Sequence, residues 1–282
     1  MMKTTKPMLA SFAVSALTIA GAHGAATTLA YWDFDTGVGN IEDSVGGIAT
    51  TAVNSPDIST HATYGASGGS GGNSLNLVIS GTGYLSGDVF GAGSSSALDF
   101  GTGNFSVSYW VYDDSSDLDD RAVRIFDMMD GTLAGFQILG STAPGLNMRV
   151  EGSSGSEIII NEGTYTRDKW EHVVVTMDRS GNASVYIDGA LSGFTTDITS
   201  LSGNVNPTRD ITIGVNTIGG TAGGTQSGGI DDLAFYSGIL DSTQIAALAA
   251  GTALPSAYVV PEPSSAALLG LGGLALVLRR RK

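Results

Sequence analysis

The pattern that most constrains the fold of this chain is a series of short apolar runs separated by turn residues. The runs are three to eight residues long, are rich in β-branched and aromatic residues, and alternate with segments of Gly, Ser, Thr and Asn. Runs of this length and composition are typical of strands. The sequence therefore predicts about eleven strands, over residues 29–34, 74–79, 105–112, 122–128, 136–139, 146–150, 157–160, 172–177, 184–187, 211–213 and 233–236.

Local patterns indicate how these strands are arranged. Residues 105–111 alternate with a period of two, so one face of this strand is expected to be buried and the other solvated. Residues 178–182 form one predicted hairpin turn, and Asp188-Gly189, a dipeptide favoured in type I′ turns, forms the next. These signals, and the lack of helices between the strands, predict an all-β fold with an antiparallel β-sandwich.

One short helix is predicted near the C-terminal end of the sandwich. Asp241 or Ser242 can cap a helix over residues 243–250, and Gly251 follows as a stop signal. Ile245 and Leu248 lie on one face of this helix. Residues 253–260 are expected to form a linker after it.

The N-terminal residues are typical of a secretory leader. Lys3 and Lys6 precede an uncharged apolar stretch over residues 8–22, and small residues follow it. We expect signal peptidase to cut between Gly24 and Ala25, with the bond between Ala26 and Thr27 as an alternative. Residues 1–24 are therefore predicted to be a signal peptide, and 25–252 the exported domain.

The C-terminal residues predict a membrane segment. Pro261-Glu262-Pro263 is followed by an apolar stretch over residues 264–278 and by four cations at 279–282. A helix over 264–278 would be roughly 22 Å long at 1.5 Å per residue, which is short for a hydrocarbon core of about 30 Å. The terminal cations favour retention of this end in the cytoplasm and argue against a helix packed on a globular core.

The residues between the two signals are strongly acidic. Residues 25–260 contain 26 acidic and seven basic side chains, a formal charge of −19. Such a charge disfavours binding to nucleic acid, because phosphates need cations. Because the chain has no cysteine, an exported domain must be stabilised by its core or by a metal. Asp accounts for 21 of the 26 acidic residues, which suits turns and calcium loops.

Three segments resemble the laminin G-like, concanavalin A-like superfamily. They are Leu98-Asp99-Phe100 with residues 105–111, the stretch 170–178 leading to 185–189, and Gly-Ile-Asp-Asp-Leu-Ala-Phe-Tyr at 229–236 with the following helix. Tyr31-Trp32-Asp33-Phe34-Asp35 also fits, so the resemblance covers about residues 29–250. It implies a two-sheet jelly-roll sandwich, and a role in binding glycans or matrix proteins more often than catalysis.

The C-terminal tail resembles the PEP-CTERM sorting signal of Gram-negative bacteria. Pro261, Glu262 and Pro263, the apolar stretch and the basic end match that signal in order and spacing. The resemblance implies recognition by an exosortase, a membrane protease-transferase, with processing near Pro261–Pro263. The protein would be anchored in the inner membrane first and then delivered to the cell surface or extracellular matrix.

No catalytic residues are predicted. Laminarinase-type relatives carry Glu-x-Asp-x-x-Glu on one strand, and no such pattern occurs here. The Asp residues cluster at predicted turns, at 113–120, 178, 188 and 231–232, where we expect them to be solvated. His172 lies within a predicted strand and is expected to be structural. Trp32, Trp110 and Trp170 could stack on sugars, but their apolar strands favour core packing.

A structural calcium is implied by the resemblance rather than by a motif. The matching positions are Asp33 and Asp231, with Asp35 and Asp232 as substitutes. Residues 113–120 begin like an EF-hand loop but have Leu118 where Gly is needed and Arg124 where Glu is needed, which favours an exposed acidic loop.

Three functions remain open from the sequence. The first is a non-catalytic surface or matrix protein that binds polysaccharide, the second an adhesin that binds proteins, and the third a divergent glycoside hydrolase. The residues that contact a ligand cannot be assigned, because loops of such sandwiches vary freely.

Overall fold

The structure, a computed structural model, describes most of the predicted exported domain. The described residues are 25–35, 41–60, 69, 71–77, 84–87, 96–115, 125–130, 133–140, 146–162, 165–215 and 227–259. The predicted signal peptide, Pro261–Pro263 and the apolar stretch 264–278 lie outside them. Within the described residues, no helix has the length and apolar character needed to cross a bilayer.

Among the described residues, the first of two antiparallel sheets has eight strands. Its order is β14-β13-β12-β7-β16-β5-β4, and β1 pairs with the part of β16 that β5 leaves open. The strands are β1 (Thr27–Trp32), β4 (Asp57–Ser59), β5 (Ser74–Leu77), β7 (Phe105–Asp113), β12 (Trp170–Met177), β13 (Asn182–Ile187), β14 (Ala190–Asp197) and β16 (Gly228–Ser237).

The second sheet also has eight strands in the part of the chain that the structure describes, in the order β11-β10-β9-β8-β15-β6-β3-β2. They are β2 (Ile41–Glu42), β3 (Ala49–Val53), β6 (Tyr84–Gly87), β8 (Phe126–Asp127), β9 (Gly135–Gly140), β10 (Leu146–Glu151), β11 (Glu157–Glu162) and β15 (Ile211–Ile213). The predicted two-sheet sandwich is therefore confirmed. Each of the eleven predicted runs overlaps a strand, and the five strands without a predicted run are β2, β3, β4, β6 and β14.

The strand β14 follows a turn that the sequence did predict. Ile187 pairs with Ala190, so Asp188 and Gly189 form a two-residue hairpin turn. Their φ angles are +49° and +82°, as a type I′ turn requires at both central positions. Because β14 lies at the sheet edge and is largely exposed, its sequence lacks the apolar run that marks an inner strand.

Large side chains fill the space between the two sheets. Phe136 of β9 contacts the rings of Phe105, Phe126 and Phe235, with centroids 5.0–5.9 Å apart. Trp32 belongs to the same core and meets Phe235 edge to face at 5.9 Å, which confirms the core packing expected for Trp32. These contacts join both sheets into one apolar core.

The outer face of the first sheet, which points away from the second sheet, is covered at one end by the helix α1 (Ser242–Ala249). Ile245 and Leu248 of α1 pack with Val174 and Tyr236 in a second apolar cluster. Asp241 is the N-cap: it accepts hydrogen bonds from the backbone N–H groups of residues 243 and 244 at 2.8 and 2.9 Å. Gln244 closes the capping box, so the predicted helix and its cap are confirmed.

Residues that were expected to form a linker are packed against the domain. The backbone N–H groups of Thr252 and Ala253 donate to the Ala247 carbonyl at 3.0 and 3.2 Å. A 3₁₀ helix, Pro255–Tyr258, then returns to β1, where the Thr28 hydroxyl donates to the Pro255 carbonyl at 2.5 Å. Pro255 is buried and Tyr258 packs on the second cluster.

We expect Phe136→Ala to destabilise the fold by about 3–5 kcal/mol, because truncation leaves a cavity among its neighbouring rings. These rings belong to Phe100, Phe105, Phe126 and Phe235. Urea denaturation of the purified protein measures the change. The matched control is Leu191→Ala, since Leu191 is 52% exposed on β14 and its truncation should cost less than about 0.5 kcal/mol. Equal losses in the two variants would contradict this assignment of the core.

Candidate functional site

An aromatic patch lies at the end of the outer face that α1 leaves open. It consists of Trp110 and Tyr112 on β7 and Trp170 and His172 on β12. Trp170 pairs with Tyr112 and His172 with Trp110, so all four side chains share one face. The ring centroids lie 5.7 Å apart in the first pair and 5.2 Å apart in the second.

The sequence interpretation of Trp170 has to be corrected, whereas Trp110 is buried as expected, although not between the two sheets. Trp110 and Trp170 do not belong to the core between the sheets, which takes Tyr109 and Val111 from the same strand. Alternation along β7 turns Trp110 and Tyr112 to the opposite face. Trp110 is 7% exposed and Trp170 is half-buried. The two faces of β7 were predicted correctly, but the expectation that one of them is solvated was wrong, because all residues of the strand are buried.

Gly229 leaves the space that the indole of Trp170 occupies on the sheet. Gly229 lies on β16, two strands away from Trp170, with Tyr112 of β7 between them. A Cβ atom at Gly229 would lie 2.5 Å from Cη2 of Trp170, so only glycine lets the indole reach this far across the sheet. One side of the indole is therefore held on the sheet, and its exposed part faces away from the protein.

Polar groups surround the aromatic patch. Lys169 forms an ion pair with Asp188, with 2.7 Å between Nζ and Oδ2. Exposed Asp168 accepts a hydrogen bond from the Ser115 N–H at 3.0 Å, and contacts with Ser115 lower the pKa of Asp168. Burial, together with the charges of Asp168 and Asp114, raises the pKa of Tyr112. At neutral pH the patch thus offers a phenol that can donate and carboxylates that accept.

His172 is buried beside Trp110, and its Nδ1 atom has no hydrogen-bond partner among the described residues. Burial lowers the pKa of His172 to about 4, although the charge of Asp188 acts in the opposite direction. His172 is therefore neutral at pH 7 and packs against Trp110, in agreement with the structural role expected from the sequence.

The two positions expected to bind calcium lie near one tyrosine. Asp231 is fully buried and accepts a hydrogen bond from the Asp232 N–H at 2.8 Å, whereas Asp33 is half-buried. The pKa of Tyr31 is raised chiefly by burial, and the charges of Asp232, Asp33 and Asp231 add to the effect. Burial also raises the pKa of Asp33. The charges of Asp33 and Asp231 thus both raise the pKa of the Tyr31 hydroxyl group.

The two substitute positions have other roles. Asp232 accepts a hydrogen bond from the Tyr31 hydroxyl, and a Cβ atom at Gly69 would lie 1.7 Å from its second oxygen. Asp35 accepts from the Asn73 N–H at 3.0 Å. Across the residues that the structure describes, no group of three or more His, Cys, Asp or Glu side chains is arranged to hold a metal ion.

Several carboxylates are not in the solvated turns that the sequence suggested. Asp231 and Asp232 lie within β16, and Asp113 ends β7; none of the three is more than 3% exposed. Residues 116–120 of the acidic stretch lie outside the described residues, so the expectation of an exposed loop there concerns a part that is not described. Buried Asp side chains at a strand end or bulge carry the same sequence signal as Asp in a turn.

The outer face of the second sheet carries carboxylates that sequence reasoning missed. Asp127 is fully buried in β8, 3.5 Å from the Arg209 guanidinium. Glu151 lies 3.0 Å from Arg149, which also pairs with Glu157. Each of these carboxylates therefore forms an ion pair with an arginine.

Comparison with known proteins identifies the fold family. A laminin G-like family model, described as the concanavalin A-like lectin/glucanases superfamily, matches residues 81–246. The chain belongs to this superfamily. A second model, the PEP-CTERM protein-sorting motif, matches residues 259–282, which confirms both resemblances seen in the sequence. The family and the motif together indicate an exported binding protein. No curated protein matches the chain.

Similar solved structures are toxin binding domains. The binding domain of Paraclostridial Mosquitocidal Protein 1 has a TM-score of 0.62 at 13% identity, covering 79% of this chain and 52% of that one. The receptor-binding domain of botulinum neurotoxin C/D mosaic serotype has a TM-score of 0.59 at 15% identity, covering 80% and 51%. The binding domain of botulinum neurotoxin DC, solved with rat synaptotagmin II, has 0.59 at 19% identity, covering 79% and 51%. The chain spans about half the length of these domains and shares their fold.

We expect the stability of the protein to rise with pH between about 4 and 6.5, because His172 binds a proton less readily when folded than when unfolded. The unfolded chain binds more protons in this window, so acid favours unfolding. A difference of about 2.5 pKa units corresponds to about 3 kcal/mol, fully lost below pH 4.

The variant His172→Gln, which does not titrate, isolates this contribution. Urea denaturation at several pH values should give a smaller change in the free energy of unfolding for the variant than for the parent. Parallel pH profiles of the two proteins would contradict the assignment of a buried neutral His172.

Proposed function

We propose that the protein is an exported, non-catalytic surface or matrix protein that binds polysaccharide at the aromatic patch. The observation that carries this proposal is the indole of Trp170, held on the sheet by Gly229 with part of its surface exposed. Aromatic faces bind the apolar faces of sugar rings, and the neighbouring Tyr112, Asp168 and Asp188 can exchange hydrogen bonds with sugar hydroxyls.

The charges around the patch favour a neutral glycan. Near Trp170, the acidic side chains Asp114, Asp168 and Asp188 outnumber the basic side chains Lys169 and Arg167. A polyanionic chain would be repelled by these local carboxylates. A neutral polysaccharide is not repelled, and its hydroxyl groups can donate hydrogen bonds to these carboxylates.

The C-terminal motif gives the proposed route of delivery. Signal peptidase removes the leader, and exosortase recognises Pro261–Pro263 while residues 264–278 hold the protein in the inner membrane. The processed protein then reaches the cell surface or the extracellular matrix. The match of a sorting-motif model to residues 259–282 supports this route.

Calcium would stabilise the domain at Asp33 and Asp231. The half-buried Asp33, whose pKa burial raises, and the buried Asp231 both act on the Tyr31 hydroxyl. A cation near two such carboxylates would favour their charged forms. Because only two carboxylates are proposed as ligands, such a site would need backbone oxygens to complete the shell. A bound calcium would link β1 to β16 and would take no part in ligand chemistry.

We expect Trp170→Ala to lose retention of neutral glycans on an array, with the melting temperature close to that of the parent. Leu191→Ala, which removes an exposed apolar side chain elsewhere on the first sheet, should retain binding. A reducing-sugar assay on the same glycans should show no release of sugar ends.

Each alternative gives a different result in this experiment. Release of sugar ends that is lost when one Asp or Glu is replaced would establish a glycoside hydrolase. Absence of glycan retention by the parent protein, with retention of a protein ligand, would establish an adhesin.

We expect a chelator to lower the melting temperature of the purified protein and calcium to restore it. Calcium at a hundred times its dissociation constant would add about 2.7 kcal/mol. Asp231→Asn should abolish the response, whereas Asp57→Asn, at an exposed position on β4, should keep it. A melting curve of the parent protein that a chelator leaves unchanged would remove calcium from the proposal.

A further inference from the structure

The residues after α1 form an ordered extension of the domain. We call residues 252–259 the stem. Hydrogen bonds from Thr252 and Ala253 to the Ala247 carbonyl fix its beginning. The bond from the Thr28 hydroxyl to the Pro255 carbonyl fixes its middle. The raised pKa of Tyr258 arises from burial and then from Asp241, which places its ring by the N-cap of α1.

The stem brings the folded domain close to the apolar C-terminal stretch. Val259 is the last described residue, and residue 264, where that stretch begins, is five positions later. Five residues span at most about 18 Å when fully extended. When residues 264–278 enter a bilayer, the stem therefore sits at or near its surface. Leu254 and Val259 of the stem are 36% and 38% exposed, so apolar side chains face outward there.

The stem and the aromatic patch lie at opposite ends of one sheet face. Thr28, which binds the stem, pairs with Tyr236 on β16. Tyr112, next to Trp170, pairs with Gly229 on the same strand. Seven residues separate the two positions on β16, which is roughly 20 Å at about 3.3 Å per residue.

We propose that the stem end of the sandwich is a membrane-facing surface, and that the aromatic patch is presented away from the bilayer. The partner is the lipid surface that the protein's own C-terminal segment enters. This inference rests on the proposed membrane stage of sorting and adds an orientation to it. Docking of the stem on β1 sets the orientation, because an undocked stem would lengthen the tether by eight residues and let the domain tumble.

The test uses the full chain without its leader, reconstituted in vesicles of zwitterionic lipid. Because the chain has no cysteine, single-cysteine variants can be labelled at one position. Ser256→Cys places a fluorophore at an exposed position of the stem. Thr166→Cys places one at an exposed position four residues before β12, where the backbone N–H of Thr166 donates to Glu171, the neighbour of Trp170. Energy transfer to an acceptor in the lipid headgroups reports the distance of each label from the bilayer.

We expect stronger transfer from position 256 than from position 166. Thr28→Val and, separately, Tyr258→Ala should reduce this difference, since each weakens stem docking. Thr51→Val, at an exposed position on β3 of the second sheet, should leave it unchanged. Melting curves establish that each variant is folded.

Equal transfer from the two positions in the parent, or stronger transfer from position 166, would overturn the proposed orientation. A difference that survives both undocking variants would overturn the role of the stem. Failure of the protein to float with the vesicles would remove the membrane tether itself, so that outcome overturns the proposed sorting stage and is distinguishable from the other two.

Discussion

The arrangement of the first sheet depends on a β-bulge in β16. Asp231 pairs with Trp110 and Ala234 with Ser108, so β16 has one more residue than β7 across this interval. Asp232 takes up the extra residue with a φ of +47°, a conformation that Asp tolerates better than most residues. The Tyr31 hydroxyl donates to the Asp232 carboxylate, and this contact ties the bulge to β1.

The bulge divides β16 into two parts with different neighbours. Residues 228–230 pair with β5, and residues 233–237 pair with β1 on the same edge. Asp231 and Asp232 lie between these two paired parts of the edge. The division also gives the outer face two ends. On the N-terminal side of Asp231, small residues such as Gly229 leave room for aromatic rings. On its C-terminal side, Ala234 and Tyr236 lie under α1 and the stem.

Because of ionic screening, only charges close to the aromatic patch affect a ligand bound there. At physiological ionic strength the Debye length is about 8 Å, so distant carboxylates contribute little there. The immediate neighbours remain, and among them the ion pair of Lys169 with Asp188 neutralises one carboxylate. Asp168 keeps its negative charge, because its hydrogen bonds from Ser115 lower its pKa. The local field is therefore weakly negative, which suits a neutral sugar bound by stacking and hydrogen bonds.

The sequence predicted the sandwich but not which faces are covered. Period-two alternation in β7 shows that the strand has two faces, and it placed Phe105, Val107, Tyr109 and Val111 together correctly. It cannot show that residues more than a hundred positions later bury the other face. Ser106, for example, is buried because its hydroxyl donates to the Gly238 carbonyl and accepts from the Leu240 N–H.

The same limit explains why the sequence did not predict the aromatic patch. Trp170 is marked in sequence only as an aromatic at a strand start, and its exposure depends on a glycine 59 positions away. The motif Gly-Ile-Asp-Asp belongs to one of the three segments that resemble the family. Its second Asp indicates a turn and a bulge equally well, because both accept a positive φ. Local chemistry in the sequence therefore predicts which conformations a residue tolerates. Which partner the resulting side chain meets follows only from strand order, and strand order decided where the aromatic patch lies.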